Sequence, residues 1–150
     1  MNQEKIMKMK MVSAIIIAIA AIVVAFIFGG LYYDQKKQNR LEYIDKYEDN
    51  ISQAAKEIDT YLEKKTDYDI HYNMILSDLG AARSLIFLVD DYTDKQKPVN
   101  ELHYCFVKYP EQMKEKLKET SKALKDISAN LDKGYKEAQE IVDSIDKKGK

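Results

Sequence analysis

The side chains with most chemical reach in this 150-residue chain are two histidines, one cysteine and eleven tyrosines. His71 follows Asp67 by four positions, the spacing that sets two metal ligands on one helical face. Two ligands do not make a site, so the pair is expected to sit solvated at a helix start. His103 and Cys105 are two apart, which turns them to different helical faces and works against a local thiolate–imidazole pair. Cys105 then reads as a small core or boundary residue. Asp90, Asp91 and Asp94 offer oxygen ligands to a hard cation, but the glycine and closing glutamate of a calcium loop are missing, which leaves a polar loop. Phosphate-binding glycine loop, nucleophile elbow and paired-histidine motif are all absent from the sequence. These residues point to no enzyme, no metal and no cofactor.

Tyrosine is the one unusual usage, with eleven against four Phe and no Trp. Tyr43 with Tyr47, and Tyr68 with Tyr72, stand four apart. Together with Tyr61 they form the candidate face for a partner or ligand, since each ring buries area and keeps a polar handle. The competing structural reading places the same rings beside a helix seam, with their hydroxyls wet.

Any such face must be carried by helices. Leu41, Ile44, Ile51, Ala55, Ile58 and Leu62 follow a 3,4 alternation with Glu48 in the one missing step, and Tyr47, Ala54 and Tyr61 widen the stripe. Lys64 and Lys65 suit a C-terminus, and Thr66 followed by Asp69 resembles a capping box. The next helix repeats the alternation at Tyr68, Tyr72, Ile75, Leu79, Ala82, Ile86 and Val89. Met74, Leu76, Leu85, Phe87 and Leu88 make its other faces apolar too, so it is either the most buried helix or presents a second face to a partner. Pro98 opens a short helix with Val99, Leu102 and Phe106. Tyr109-Pro110 breaks the chain again before one long helix with a 4,3 stripe from Met113 to Ile145, in which Gly134 is the expected kink, close approach or premature end.

Ahead of these helices lies a different polymer. Residues 11–33 carry no charge, and as a helix they reach about 34 Å, enough for a hydrocarbon core of about 30 Å. Tyr32 and Tyr33 close this stretch as the membrane-interface residues. A cleaved signal is the competing reading, given Lys5, Lys8 and Lys10 ahead of the run. The run is longer than the usual ~7–15 residues, and neither a small-x-small site nor a lipid-accepting cysteine follows it. An uncleaved signal-anchor is therefore expected. Lys36, Lys37, Arg40 and Lys46 bring the positive-inside count close to a tie. A short basic tail left inside and Asp34 first beyond the membrane favour a cytoplasmic N-terminus.

Past the apolar run, residues 34–150 hold 21 Lys+Arg and 24 Asp+Glu, a net charge of −3. A polytopic membrane protein, a basic nucleic-acid binder and a long disordered tail are excluded by this balance. The expected fold is all-α, an N-terminal transmembrane helix continuing into an antiparallel three- to four-helix bundle. Residues 1–10 form a basic tail, 11–33 the single pass, and 34–150 the bundle, with helices over about 35–65, 67–90, 98–108 and 110–147.

Ile58-Asp59, Leu62, Lys64-Lys65 and Asp67 resemble a fragment of the LemA family, whose members also join an N-terminal span to a helical bundle. The resemblance is confined to residues 58–67. Where that family continues with Ile-Pro-Asn, this chain has Asp69, Ile70, His71 and Tyr72, and no residue role follows. In layout the chain is also similar to inner-membrane phage spanins and to chemoreceptor sensor bundles, an analogy of arrangement alone. The expected function is a non-enzymatic interaction or assembly module at the membrane surface, partnered by the bilayer and by another envelope protein or itself, without nucleic acid. Ala14, Ala18 and Ala21, or Gly29 and Gly30, offer contacts for self-association within the membrane. The alternative is an extracytoplasmic ligand-sensing domain with its cavity near Tyr68 and Tyr72.

Overall fold

With five glycines and two prolines in 150 residues, little in this sequence interrupts a helix. The computed structural model describes residues 3–88, 96–131 and 133–147, and among these every regular element is an α-helix. In chain order they are α1 (Gln3–Lys64), α2 (Tyr68–Ile86), α3 (Lys97–Lys108), α4 (Pro110–Glu115), α5 (Leu117–Asn130) and α6 (Tyr135–Ser144). The chain divides between Asn39 and Arg40 into two units.

The first unit is helical throughout its described residues, including Gly29 and Gly30, where nothing lies within 4 Å of an added Cβ. A glycine pair weakens a helix by roughly 2 kcal/mol against alanine, but long runs of Ile, Val and Ala on its N-terminal side propagate through it. Every residue from Met11 to Tyr33 is exposed. This stretch, with a mean hydropathy of 3.1 over its most apolar window, is long and apolar enough to cross a membrane.

The second unit builds one core. Ile51 and Ile58 of α1, Ile75 and Leu79 of α2, Leu102 and Phe106 of α3, Leu124 and Ile127 of α5 and Val142 of α6 are all buried. α3 packs against both α2 and α6, and α5 against α6. On α1 the buried stripe begins at Tyr47, deeper than predicted, because Leu41 is half exposed and Ile44 only half-buried. Tyr47 is met by Tyr135, the first residue of α6.

Two local expectations fail for backbone reasons. Lys65 and Asp67 both adopt positive φ, 56° and 55°, so Thr66 lies between two left-handed residues. The helix start therefore moves to Asp67, whose carbonyl accepts from Ile70 and His71, and the Thr66–Asp69 capping box does not form. The predicted single helix over 110–147 is instead α4, α5 and α6. At Lys116 the backbone leaves helical geometry (φ −99°, ψ 3°) and the Thr120 hydroxyl bonds back to its carbonyl at 2.9 Å, a contact that bends helices. Leu131 then turns left-handed (φ 51°), as does Gly134 (φ 85°). A Cβ at Gly134 would stand 2.3 Å from the Ala123 carbonyl oxygen and 2.8 Å from Ile127, so the residue is at once a break and a close approach. Nine of the ten stripe positions from Met113 to Ile145 are nevertheless buried, Leu131 being the half-buried exception.

The segment after α6 is held by its backbone. Gln112 donates through Nε2 to the Asp146 carbonyl at 3.1 Å and accepts from the Asp146 N–H at 2.8 Å. That clamp seats Ile145, extended and buried, at the end of the core.

Candidate functional site

Three of the five predicted tyrosines come together. Tyr61 and Tyr68 meet edge to face at 5.0 Å between ring centroids, Tyr68 and Tyr72 lie 5.2 Å apart, and Phe106 follows 5.5 Å from Tyr72. The short α1–α2 turn makes this possible, because it folds Tyr61 back onto the first turn of α2. Tyr47 is elsewhere, its hydroxyl 3.4 Å from that of Tyr135, and Tyr43 is half-buried in neither pair. Tyr47 and Tyr72 are buried, so the five rings do not make one exposed face.

The two central tyrosines differ in what their hydroxyls meet. Pro110 has no N–H, so the Phe106 carbonyl four residues earlier lacks its helical donor. The Tyr72 hydroxyl donates to that oxygen at 2.6 Å. Burial, then Tyr68 and Glu111, push the Tyr72 phenol well above the usual tyrosine range. The Tyr68 hydroxyl is buried and has no hydrogen-bond partner among the described residues, while the Lys114 ammonium lies 4.3 Å from the centre of its ring. Burial, followed by Glu111, Tyr61 and Asp69, pushes Tyr68 up to about 12. Both phenols therefore stay protonated near neutrality, as packing and hydrogen-bonding groups.

The remaining chemical candidates are absorbed into the helix contacts. His71 takes Glu57 of α1 as its side-chain partner, Nδ1 to Oε2 at 2.7 Å, and not Asp67, so the predicted solvated helix-start pair is replaced by a bridge between two helices. His103 is half-buried, and its Nδ1 has no hydrogen-bond partner among the described residues. Burial and Arg83 press its imidazole below the usual histidine range, and a hydrogen bond to the Leu76 backbone pulls the other way. Cys105 is fully buried and free, its thiol raised by burial and Glu101 against the pull of Lys147, as suits a core residue. Among the described residues no three His, Cys, Asp or Glu side chains gather to hold a metal ion. Asp90, Asp91 and Asp94 lie outside the described residues.

Sequence reasoning missed a polar node that ties α1 to α5. Burial pulls the Asp59 carboxyl up, but Lys125 Nζ at 2.5 Å and Ser121 Oγ at 2.6 Å outweigh it and hold the group below the usual carboxylate range. The signal was faint, since Ser121 is a polar residue buried beside the Thr120 position of an otherwise apolar stripe.

Two surface features remain. A cavity of about 270 Å³ opens between α5 and α6, walled by charged side chains of both signs, among them Lys116, Lys122, Glu137 and Glu140; neither Tyr68 nor Tyr72 lines it. The outer face of α2 has the opposite character. Ile70, Met74, Ser77, Ala81 and Ser84 run at spacings of 4,3,4,3 along one side of α2, Ala81 half-buried, and none is charged; Leu88 lies in the turn beyond the helix. Ile70 is 61%, Met74 44% and Leu88 54% exposed. Exposed charge stands elsewhere on α2, at Asp69 and Arg83, and on each of the other helices of this unit: Glu42 and Lys56 on α1, Lys97 and Lys108 on α3, Glu111 on α4, Lys118 and Lys122 on α5, Lys136 and Glu140 on α6. The sequence held this signal in the uncharged 4,3 repeat offset from the core stripe of the same helix.

No family model, curated protein or solved structure matches the chain.

Proposed function

We propose that this chain is a single-pass, membrane-anchored protein whose residues 34–150 form an antiparallel helical bundle. The bundle docks a protein at the membrane surface and performs no catalysis. Residues 11–33 are the anchor, Tyr32 and Tyr33 lie in the headgroup layer, and the basic tail faces the cytoplasm with the bundle outside. The observation that carries the docking role is the uncharged strip Ile70, Met74, Ser77, Ala81 and Ser84 of α2, on which Ile70 and Met74 are exposed, with the exposed charges of that helix, Asp69 and Arg83, standing off the strip. Large exposed apolar side chains in helical register are a groove-or-helix contact in waiting, because water gains when they are covered. The tyrosines support the face from within, since Tyr68 and Tyr72 stack on Tyr61 and Phe106 and fix the first turns of α2 against α1 and α3.

A photoreactive side chain at Ser77, placed in the full chain in native membranes, tests the reading. A single defined crosslinked species is expected. A chain that stays in the membrane fraction yet crosslinks to nothing but lipid would remove the docking role.

A further inference from the structure

Seven large apolar side chains are exposed among the described residues of the second unit, and three of them sit at one end: Leu41 at 51%, Phe87 at 64% and Leu88 at 54%. The register of α1 against α2 puts these three at one level. Tyr61 meets Tyr68 and Glu57 bonds His71, so each step forward along α2 matches about one step back along α1. Sixteen residues beyond His71 is Phe87, and sixteen before Glu57 is Leu41. Leu88 follows Phe87 in the turn that ends α2. The chain also enters the unit at this end, because Arg40 is its first residue.

We propose that this end rests on the bilayer, with Leu41, Phe87 and Leu88 set among lipid headgroups and the first acyl carbons. The inference rests on the anchor reading above and adds a second membrane contact outside the span. Only residues 34–40 separate the span from Leu41. They reach about 10 Å as helix and at most about 25 Å fully extended, a bound that holds at any angle between the two units. The headgroup layer adds roughly 5–8 Å beyond the hydrocarbon, so the remaining gap is short. Water gains when Phe and Leu side chains leave it, and the tether keeps the lipid surface at high effective concentration beside this end. Charge then says which lipid fits. Asp90, Asp91 and Asp94 follow Leu88 closely in the sequence, so the contact draws on apolar area and gains nothing from anionic headgroups. The occupant is a zwitterionic lipid surface.

The test uses the full chain reconstituted at one copy per phosphatidylcholine nanodisc, where no second protein is present. Leu41→Cys and Leu88→Cys each carry a fluorophore; Thr66→Cys, in the exposed turn at the opposite end, and Val23→Cys, in the span, are the controls. Cys105 is buried and stays in place, with the parent chain giving the labelling background. The ratio of quenching by nitroxide-bearing lipid to quenching by aqueous iodide is expected to be at least fivefold higher at Leu41 and Leu88 than at Thr66. Adding Phe87→Asp is expected to lower the ratio at Leu88 at least threefold with helicity unchanged, and replacing half of the lipid by phosphatidylglycerol is expected not to raise it. Ratios no higher than that at Thr66, with Val23 still quenched from lipid, would overturn the inference and leave the anchor standing. Iodide reaching Val23 as readily as Thr66 would overturn both. Protection of Leu41 and Leu88 from iodide without quenching by lipid would mean that the chain covers this end itself, and would overturn the inference as well.

Discussion

Tyr68 and Tyr72 are the same side chain one helical turn apart, and the chain uses them in opposite ways. Tyr72 fills the acceptor that Pro110 leaves open at Phe106, whereas the Tyr68 hydroxyl is buried with no hydrogen-bond partner among the described residues. Removing one oxygen therefore has two signs. Tyr72→Phe strands a buried carbonyl and is expected to lower stability by about 1–3 kcal/mol, while Tyr68→Phe removes a buried polar group that gains nothing and is expected to raise stability by up to about 1 kcal/mol. Urea unfolding followed by circular dichroism reads both; midpoints that move in the same direction would contradict the assignment. The sequence made the tyrosines conspicuous but left their roles open, because a hydroxyl's partner is set by which carbonyl lacks a donor across the helix contact. Pro110 was visible as a helix opener, and the missing N–H behind it carried the further information.

At the scale of elements, apolar spacing located the helical stretches but read α4, α5 and α6 as one helix. α2 and α3 lie within a few residues of the spans read from the alternation, and the buried stripe from Met113 to Ile145 was legible almost residue by residue. What spacing does not encode is whether one helix or two carry a stripe, since a turn that preserves the phase is invisible to periodicity. Gly134 decides it here through positive φ and a carbonyl where a Cβ would stand. Gly134→Ala is expected to cost about 2–4 kcal/mol, from left-handed strain and overpacking against Ala123 and Ile127. In one continuous helix the same change would stabilise by roughly 1 kcal/mol. Thermal unfolding separates the two outcomes by their sign. The capping box at Thr66 failed for a related reason, because two left-handed residues beside it shifted the frame by one position.

For the whole molecule, a mean hydropathy of −0.48 conceals an uncharged stretch and a densely charged remainder. Each part was legible by itself: the exposed apolar helix over residues 11–33 from its lack of charge, the core of residues 40–150 from its 3,4 spacing. The polar node at Asp59, Ser121 and Lys125 was not, because no local pattern links residues 62 positions apart. Under the proposed anchor, Ile19→Arg together with Val23→Arg places two guanidinium groups near the bilayer centre at an expected cost of about 5–7 kcal/mol. The fraction of chain resisting alkaline extraction from membranes is expected to fall more than tenfold. Undiminished retention would remove residues 11–33 as the anchor.

The contact between Tyr47 and Tyr135 joins residues 88 positions apart. During synthesis at about 5–20 residues per second, the apolar stripe of α1 is made roughly 4–18 seconds before α6 exists to cover its first turn. Tyr47, buried in the finished fold, spends that interval without Tyr135 to cover it. The newborn chain is thus most exposed to aggregation and proteolysis at its earliest-made core helix, and slowing translation between α1 and α6 lengthens that exposure in direct proportion.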